Sequence, residues 1–284
     1  MTELVAGNRL DLLVSGAQYF PALEAALDQA QHETYLECYI FEDDQAGRRI
    51  AEALKRTAKR GVRVHLMIDG FGSRTLSGGF IQDLMQAGVM VLVYRPEAKR
   101  LALHRHRLLR MHRKLAAIDG KIGFVGGINI IDDMHTPNHT PPRYDYGVRV
   151  EGPLAEYIHR AAERLWKLIT WTQFKQEWRR ELRIRPAPTV SGGQIAALVV
   201  RDNFRHRRDI EDAYLDAIAK ARTEILIANA YFLPGINFRH ALTQASARGV
   251  RVILLLQGRV EYVLLHYASR ALYGSLLDAG IEIF

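Results

Sequence analysis

The residues of this 284-residue chain whose types and spacing best suit chemistry are His112-Arg113-Lys114. They fall in a run, 110–125, that reads as two strands joined at Asp119-Gly120, a dipeptide suited to the positive φ angles of a tight turn. Side chains two apart on a strand project from one face, so His112 and Lys114 are predicted neighbours, with Ala116 and Ile118 continuing that face into the core. An imidazole nitrogen can attack phosphorus or protonate a leaving oxygen, while an ammonium neutralises charge on the equatorial oxygens. That pairing suits phosphodiester transfer without a metal. Asp119 stands seven residues from His112, out of hydrogen-bond reach along one strand at roughly 3.3 Å per residue, and is read as a turn former. Gly126-Gly127-Ile128-Asn129 follows the second strand. Consecutive glycines let Gly127 and the Asn129 amide come close to a phosphate.

A histidine beside a lysine on a strand is more commonly a solvated surface pair than a catalytic one. The spacing H-x-K-x4-D alone arises by chance in about two of a hundred chains of this length, so it needs support from elsewhere in the sequence. The glycines supply some of it. His104, His106 and His112 invite a metal reading, but neither cysteine nor carboxylate completes them at ligand spacing, and no metal or other cofactor is expected.

The elements that must position the pair repeat. Residues 23–70 read as helix, strand, helix, strand, ending in Arg60-Gly61-Val62-Arg63-Val64, and the same order recurs over 212–252, ending in Arg248-Gly249-Val250-Arg251-Val252. Ala87-Gly88-Val89 has its counterpart in Ala279-Gly280-Ile281. Alternating helices and apolar strands imply an α/β fold, an α-β-α sandwich of two tandem repeats with mixed, largely parallel sheets. The expected organisation is a first domain over 1–182, a Pro- and Gly-rich linker over 183–195 and a second domain over 196–284. The first repeat runs on past Gly88 to His112, whereas Phe284 follows Gly280 by four residues, so the second repeat is expected to be truncated.

Composition sets wider bounds. A hydrophobic fraction of 48% supports a substantial core, and the single cysteine, Cys38, rules out an intramolecular disulfide. The N-terminal residues lack the pattern of a signal peptide, and no apolar run approaches the roughly 20 residues of a membrane-spanning helix. A net charge of +8 predicts anionic partners, either nucleic acid or acidic lipid. Residues 101–111 interleave arginines and histidines with leucines, as expected of a segment resting on lipid headgroups, although a solvated loop has the same composition. The apolar stretch 260–267 is read as lipid-contacting or as a packed helix, and Trp166 and Trp171 as core.

H-x-K-x4-D followed by Gly-Gly-x-Asn, with the repeat, resembles the phospholipase D superfamily over nearly the whole chain. Within it, residues 7–13, 39–47, 144–153 and Arg201-Asp202-Asn203 look like bacterial cardiolipin synthases of the shorter, anchorless type. The resemblance implies a two-step transfer in which one motif histidine takes the phosphatidyl group as a phosphohistidine and a second motif's histidine protonates the departing alcohol. His112 matches the first motif's histidine, often the nucleophile in this superfamily, and Lys114 the phosphate-binding lysine; which of the two motif histidines attacks stays open. Asp145 is the candidate for the downstream acid that orients the histidine. The implied partners are anionic glycerophospholipids, phosphatidylglycerol above all, at the cytoplasmic face of a bacterial inner membrane, bound peripherally.

The second H-x-K-x4-D is absent from the sequence. The repeat offsets place it about ten to thirty residues beyond Phe284, in a C-terminal segment that would supply the other half-site. Two other readings stay open: a nuclease or phosphodiesterase of the same fold, which the basic charge permits, and a non-catalytic lipid-binding fragment.

Overall fold

The computed structural model describes residues 3–96, 110–135, 141–173, 192–201, 207–258 and 263–284, with the side chains of 264 and 265 excepted. Most of the basic segment 101–111, His104 and His106, Asp202-Asn203, residues 183–191 of the expected linker and part of 260–267 lie outside the described residues. The chain divides into two compact units, Glu3–Leu198 and Val199–Phe284.

In the first unit the elements run β1 (Val5–Val14), α1 (Ser15–Gln29), β2 (Glu33–Cys38), α2 (Gln45–Lys59), β3 (Arg63–Asp69), α3 (Gly78–Gln86) and β4 (Met90–Tyr94). They continue with β5 (Leu115–Ile118), β6 (Ile122–Gly126), β7 (Tyr146–Glu151), α4 (Pro153–Thr172) and β8 (Gln194–Ala196). One sheet takes the order β4-β3-β2-β5-β6-β7-β1-β8. β2, β3 and β4 are parallel, and β5 runs antiparallel to β2 and to β6. β2 and β3 are buried on both faces because helices cover both. Leu23 and Leu27 of α1 and Ile50 and Leu54 of α2 join Leu36, Cys38 and Leu66 in one apolar cluster. Leu154, Ile158, Ala162 and Trp166 of α4 join Tyr35, Met67, Leu115 and Ala117 in the other. The expected three-layer sandwich is what forms.

The Arg-Gly-Val-Arg-Val motif has a physical reading. Arg60 donates to Leu27 O at the end of α1, Gly61 takes φ 84° where the chain leaves α2, Val62 and Val64 enter the core, and Arg63 pairs with Glu33 across the strand register. The second unit repeats each step. Arg248 donates to Ile218 O, Gly249 has φ 85°, Val250 and Val252 are buried, and Arg251 pairs with Glu224. That unit comprises α5 (Asp209–Lys220), β9 (Glu224–Asn229), α6 (Ile236–Ala247), β10 (Arg251–Leu256), α7 (Val263–Asp278) and β11 (Glu282–Ile283), with a parallel sheet in the order β11-β10-β9. One sheet face packs against the helices, while Leu226 and Leu255 on the other are exposed. Their register equivalents in the first unit are Tyr35 and Met67, which α4 covers.

Two expectations are corrected. Trp166 is core, but Trp171 is 61% exposed, because five residues along a 3.6-residue helix turn it away from the face that packs on the sheet. The strand expected from 110 is hydrogen-bonded as β5 only from Leu115, so His112 and Lys114 lie on its extended approach.

Candidate active site

The hairpin carrying the pair turns as expected: Asp119 and Gly120 have φ 51° and 62°, and Lys121 N donates to Ile118 O. Alternation then holds from the approach into the strand. Met111, Leu115 and Ala117 pack toward α4, whereas Ala116 and Ile118 pack toward α1 and α2. His112 and Lys114 share the latter side, and Lys114 Nζ lies 3.2 Å from both His112 ring nitrogens. It also donates to His112 O at 3.1 Å. The Tyr39 ring flanks both, with its centroid 4.8 Å from the imidazole and 5.3 Å from the ammonium.

Electrostatics fit the geometry. Burial pushes the Lys114 ammonium down to about 8, although Asp145 and the Cys38 thiol act to raise it. Burial and the adjacent Lys114 charge hold the His112 imidazole below its ordinary value, partly offset by Asp69. Near neutral pH the histidine is therefore unprotonated and the lysine charged, which is the state a nucleophile beside an anion-binding cation requires.

Asp145 sits at this site through the glycines. A Cβ on Gly127 would stand 2.2 Å from Asp145 Oδ1, and one on Gly126 would stand 2.4 Å from Tyr146 O. Only glycines admit that approach. Gly126 N donates to Lys114 O and Gly127 N to Tyr146 O, so both N–H groups are engaged within the protein and Gly127 brings the Asp145 carboxylate near Lys114. Asn129 Oδ1 accepts from Ile40 N at 3.0 Å, tying the loop after β2 to that after β6, and its Nδ2 has no acceptor among the described residues. Asp119 lies elsewhere. Its carboxylate accepts from the backbone of Gln31, His32 and Glu33 at 2.8–2.9 Å, clamping the hairpin to the start of β2.

Two buried carboxylates around the hairpin approach were not among the sequence candidates. Asp69 ends β3 and is fully buried; it accepts from Phe71 N, Gly72 N and Met111 N, joining the loop after β3 to the residue before His112. Glu37, 2% exposed in β2, faces Arg113 Nε at 3.3 Å on the side of the sheet opposite His112, and burial pushes its carboxyl up to about 7 despite Arg113. The signal for each is an acid within or ending an apolar strand. Among the described residues no cluster of three or more His, Cys, Asp or Glu side chains is arranged to hold a metal ion, and no helix is long and apolar enough to cross a membrane.

This sandwich, with a His-Lys pair at the lead-in to a central antiparallel strand, is of the phospholipase D-like class. The family described as "Cardiolipin synthase, PLD-like domain" matches residues 23–166 and 214–284. Cardiolipin synthase B of Escherichia coli (strain K12) is 38% identical over 278 residues, covering 98% of this chain and 67% of the relative. Cardiolipin synthase of Halalkalibacterium halodurans is 31% identical over 283 residues, covering 96% and 54%. The crystal structure of phosphatidylserine synthase from Haemophilus influenzae Rd KW20 matches 95% of this chain and 71% of that one with a TM-score of 0.59 at 12% identity, a likeness of fold. The chain belongs to the cardiolipin synthase family of phospholipase D-like proteins.

Proposed function

We propose that the protein transfers a phosphatidyl group from one glycerophospholipid to the hydroxyl of another, making cardiolipin, with water as the competing acceptor. The observation that carries this reading is the His112 imidazole held 3.2 Å from the buried Lys114 Nζ. A ring nitrogen of His112 attacks phosphorus; the bond to the departing alcohol breaks, and that oxygen takes a proton as it leaves. The acceptor hydroxyl then attacks the phosphohistidine, gives up its proton, and the P–N bond breaks.

Lys114 neutralises the non-bridging oxygens through both steps, with Asn129 Nδ2 as a further donor. Asp145 sustains the Lys114 charge. The proton carried to and from the alcohols is assigned to a second H-x-K motif, as the family resemblance implies; this sequence holds one H-x-K. The protein works peripherally at the cytoplasmic membrane face. Similarity to named cardiolipin synthases favours lipid over nucleic acid.

Incubation of the full-length protein with phosphatidylglycerol, followed by thin-layer separation of the lipids, tests the reading. Cardiolipin and phosphatidic acid are the expected products, lost together in His112→Ala. Cleavage of DNA with no lipid product would overturn it in favour of a nuclease, and vesicle binding without turnover in favour of a lipid-binding module.

A further inference from the structure

Phe71, in the loop after β3, has the Arg74 guanidinium 5.1 Å and the Arg110 guanidinium 4.6 Å from its ring centroid. Two cations beside one partly exposed ring would ordinarily be relieved by a carboxylate, yet neither arginine has an acidic partner among the described residues. The nearest acid in the loop, Asp69, is buried and committed to three backbone N–H groups. Those same bonds fix the pair's position, because they run to Phe71 and Gly72 on one side and to Met111, between Arg110 and His112, on the other. Ser73 adds a second tether, donating to Tyr39 O and accepting from Phe41 N.

Arg110, His112 and Lys114 are alternate residues of an extended approach, with Met111 and Arg113 directed to the opposite side. Arg110 lies two residues from His112, so their Cα atoms are no more than about 7 Å apart. In a lipid whose headgroup ends in glycerol, five bonds separate the terminal hydroxyl oxygen from its own phosphorus, an extended span of about 6 Å.

We propose that Arg74 and Arg110, held on Phe71, form a second anion subsite that binds the phosphodiester of the incoming acceptor lipid while its terminal hydroxyl reaches the phosphoryl group on His112. The inference rests on the transfer reading and adds the acceptor's binding site to it. A planar guanidinium pair suits a phosphodiester monoanion, and the shared ring limits the entropy lost on binding.

The test uses the full-length protein in mixed micelles of phosphatidylglycerol and neutral detergent, with ethanol as a competing uncharged acceptor. Donor binding and micelle binding are common to both products, so the ratio of cardiolipin to phosphatidylethanol reads the acceptor site alone. R74Q/R110Q is expected to lower that ratio about tenfold, and R74K/R110K to restore part of it. An equal fall in both products, or an unchanged ratio, would overturn the subsite and leave the transfer reading standing. Neither product from the unmodified protein would overturn the transfer reading, and the subsite with it.

Discussion

Lys114 Nζ stands 3.2 Å from each ring nitrogen of His112, and this contact adds to the burial that lowers the His112 value. Burial and the adjacent ammonium charge both disfavour an imidazolium, so in the proposed transfer His112 is free of a proton while Lys114 keeps its charge. Activity is therefore expected to trace a bell against pH. Its acid limb lies below the ordinary histidine value of 6.5, where His112 gains a proton, and its alkaline limb lies near 8, where Lys114 loses one. Initial rates of transfer across pH 5–10 check this. In Lys114→Arg the guanidinium stays charged, so the limb near 8 should disappear even as the rate falls.

Asp145 raises the Lys114 value toward its ordinary range. Asp145→Asn removes that support, so the alkaline limb is expected to move below 8, narrowing the bell from one side. Gly127→Ala should act in the same direction, because a Cβ there would occupy the place of the Asp145 carboxylate. The pH profiles of both variants, measured beside the unmodified protein, are the check; an alkaline limb that stays put in both would exclude Asp145 as the group sustaining Lys114.

Asp119 has a structural task. Asp119→Ala strips the acceptor from three backbone N–H groups at the start of β2, an expected loss of about 3 kcal/mol. Urea denaturation measures that loss, while the pH at each limb of the bell should be unmoved, since no reacting group is touched.

Glu37 predicts a stability change of definite sign. Its folded value, about 7, lies above the ordinary 4.5, so the native state binds this proton more tightly than the unfolded chain does. The contribution is fully present below 4.5 and is lost as pH rises toward 7, a swing on the order of 3 kcal/mol. Glu37→Gln abolishes the titration, and its stability relative to the unmodified protein should improve between pH 5 and pH 8. Denaturant midpoints at the two pH values measure the change.

Much of this was legible in the sequence, for identifiable reasons. Arg-Gly-Val-Arg-Val is readable because each residue meets a local demand: a helix end, a left-handed turn, two core positions and a strand pairing. His112 and Lys114 are readable because strand alternation fixes their shared side. Asp69, Glu37 and Tyr39 were hidden because their partners are far away in sequence; Asp69 meets Met111 N across 42 residues, a contact that exists only once β3 and the hairpin approach come together. Asn129 and Gly127 were found by type, but not the bonds that occupy them, since pairing with Ile40 and Tyr146 depends on sheet order. Trp171 misled because a helical pattern marks a face, and five residues from Trp166 leaves that face.

The central claim is that His112 carries the phosphatidyl group between donor and acceptor. Rapid alkaline quenching of the full-length protein during turnover of phosphatidylglycerol, followed by mass spectrometry of the peptides, tests it directly. A phosphatidyl adduct on His112, absent from His112→Ala, is the expected result. Turnover with no adduct on His112, or with the adduct on another residue, would contradict it.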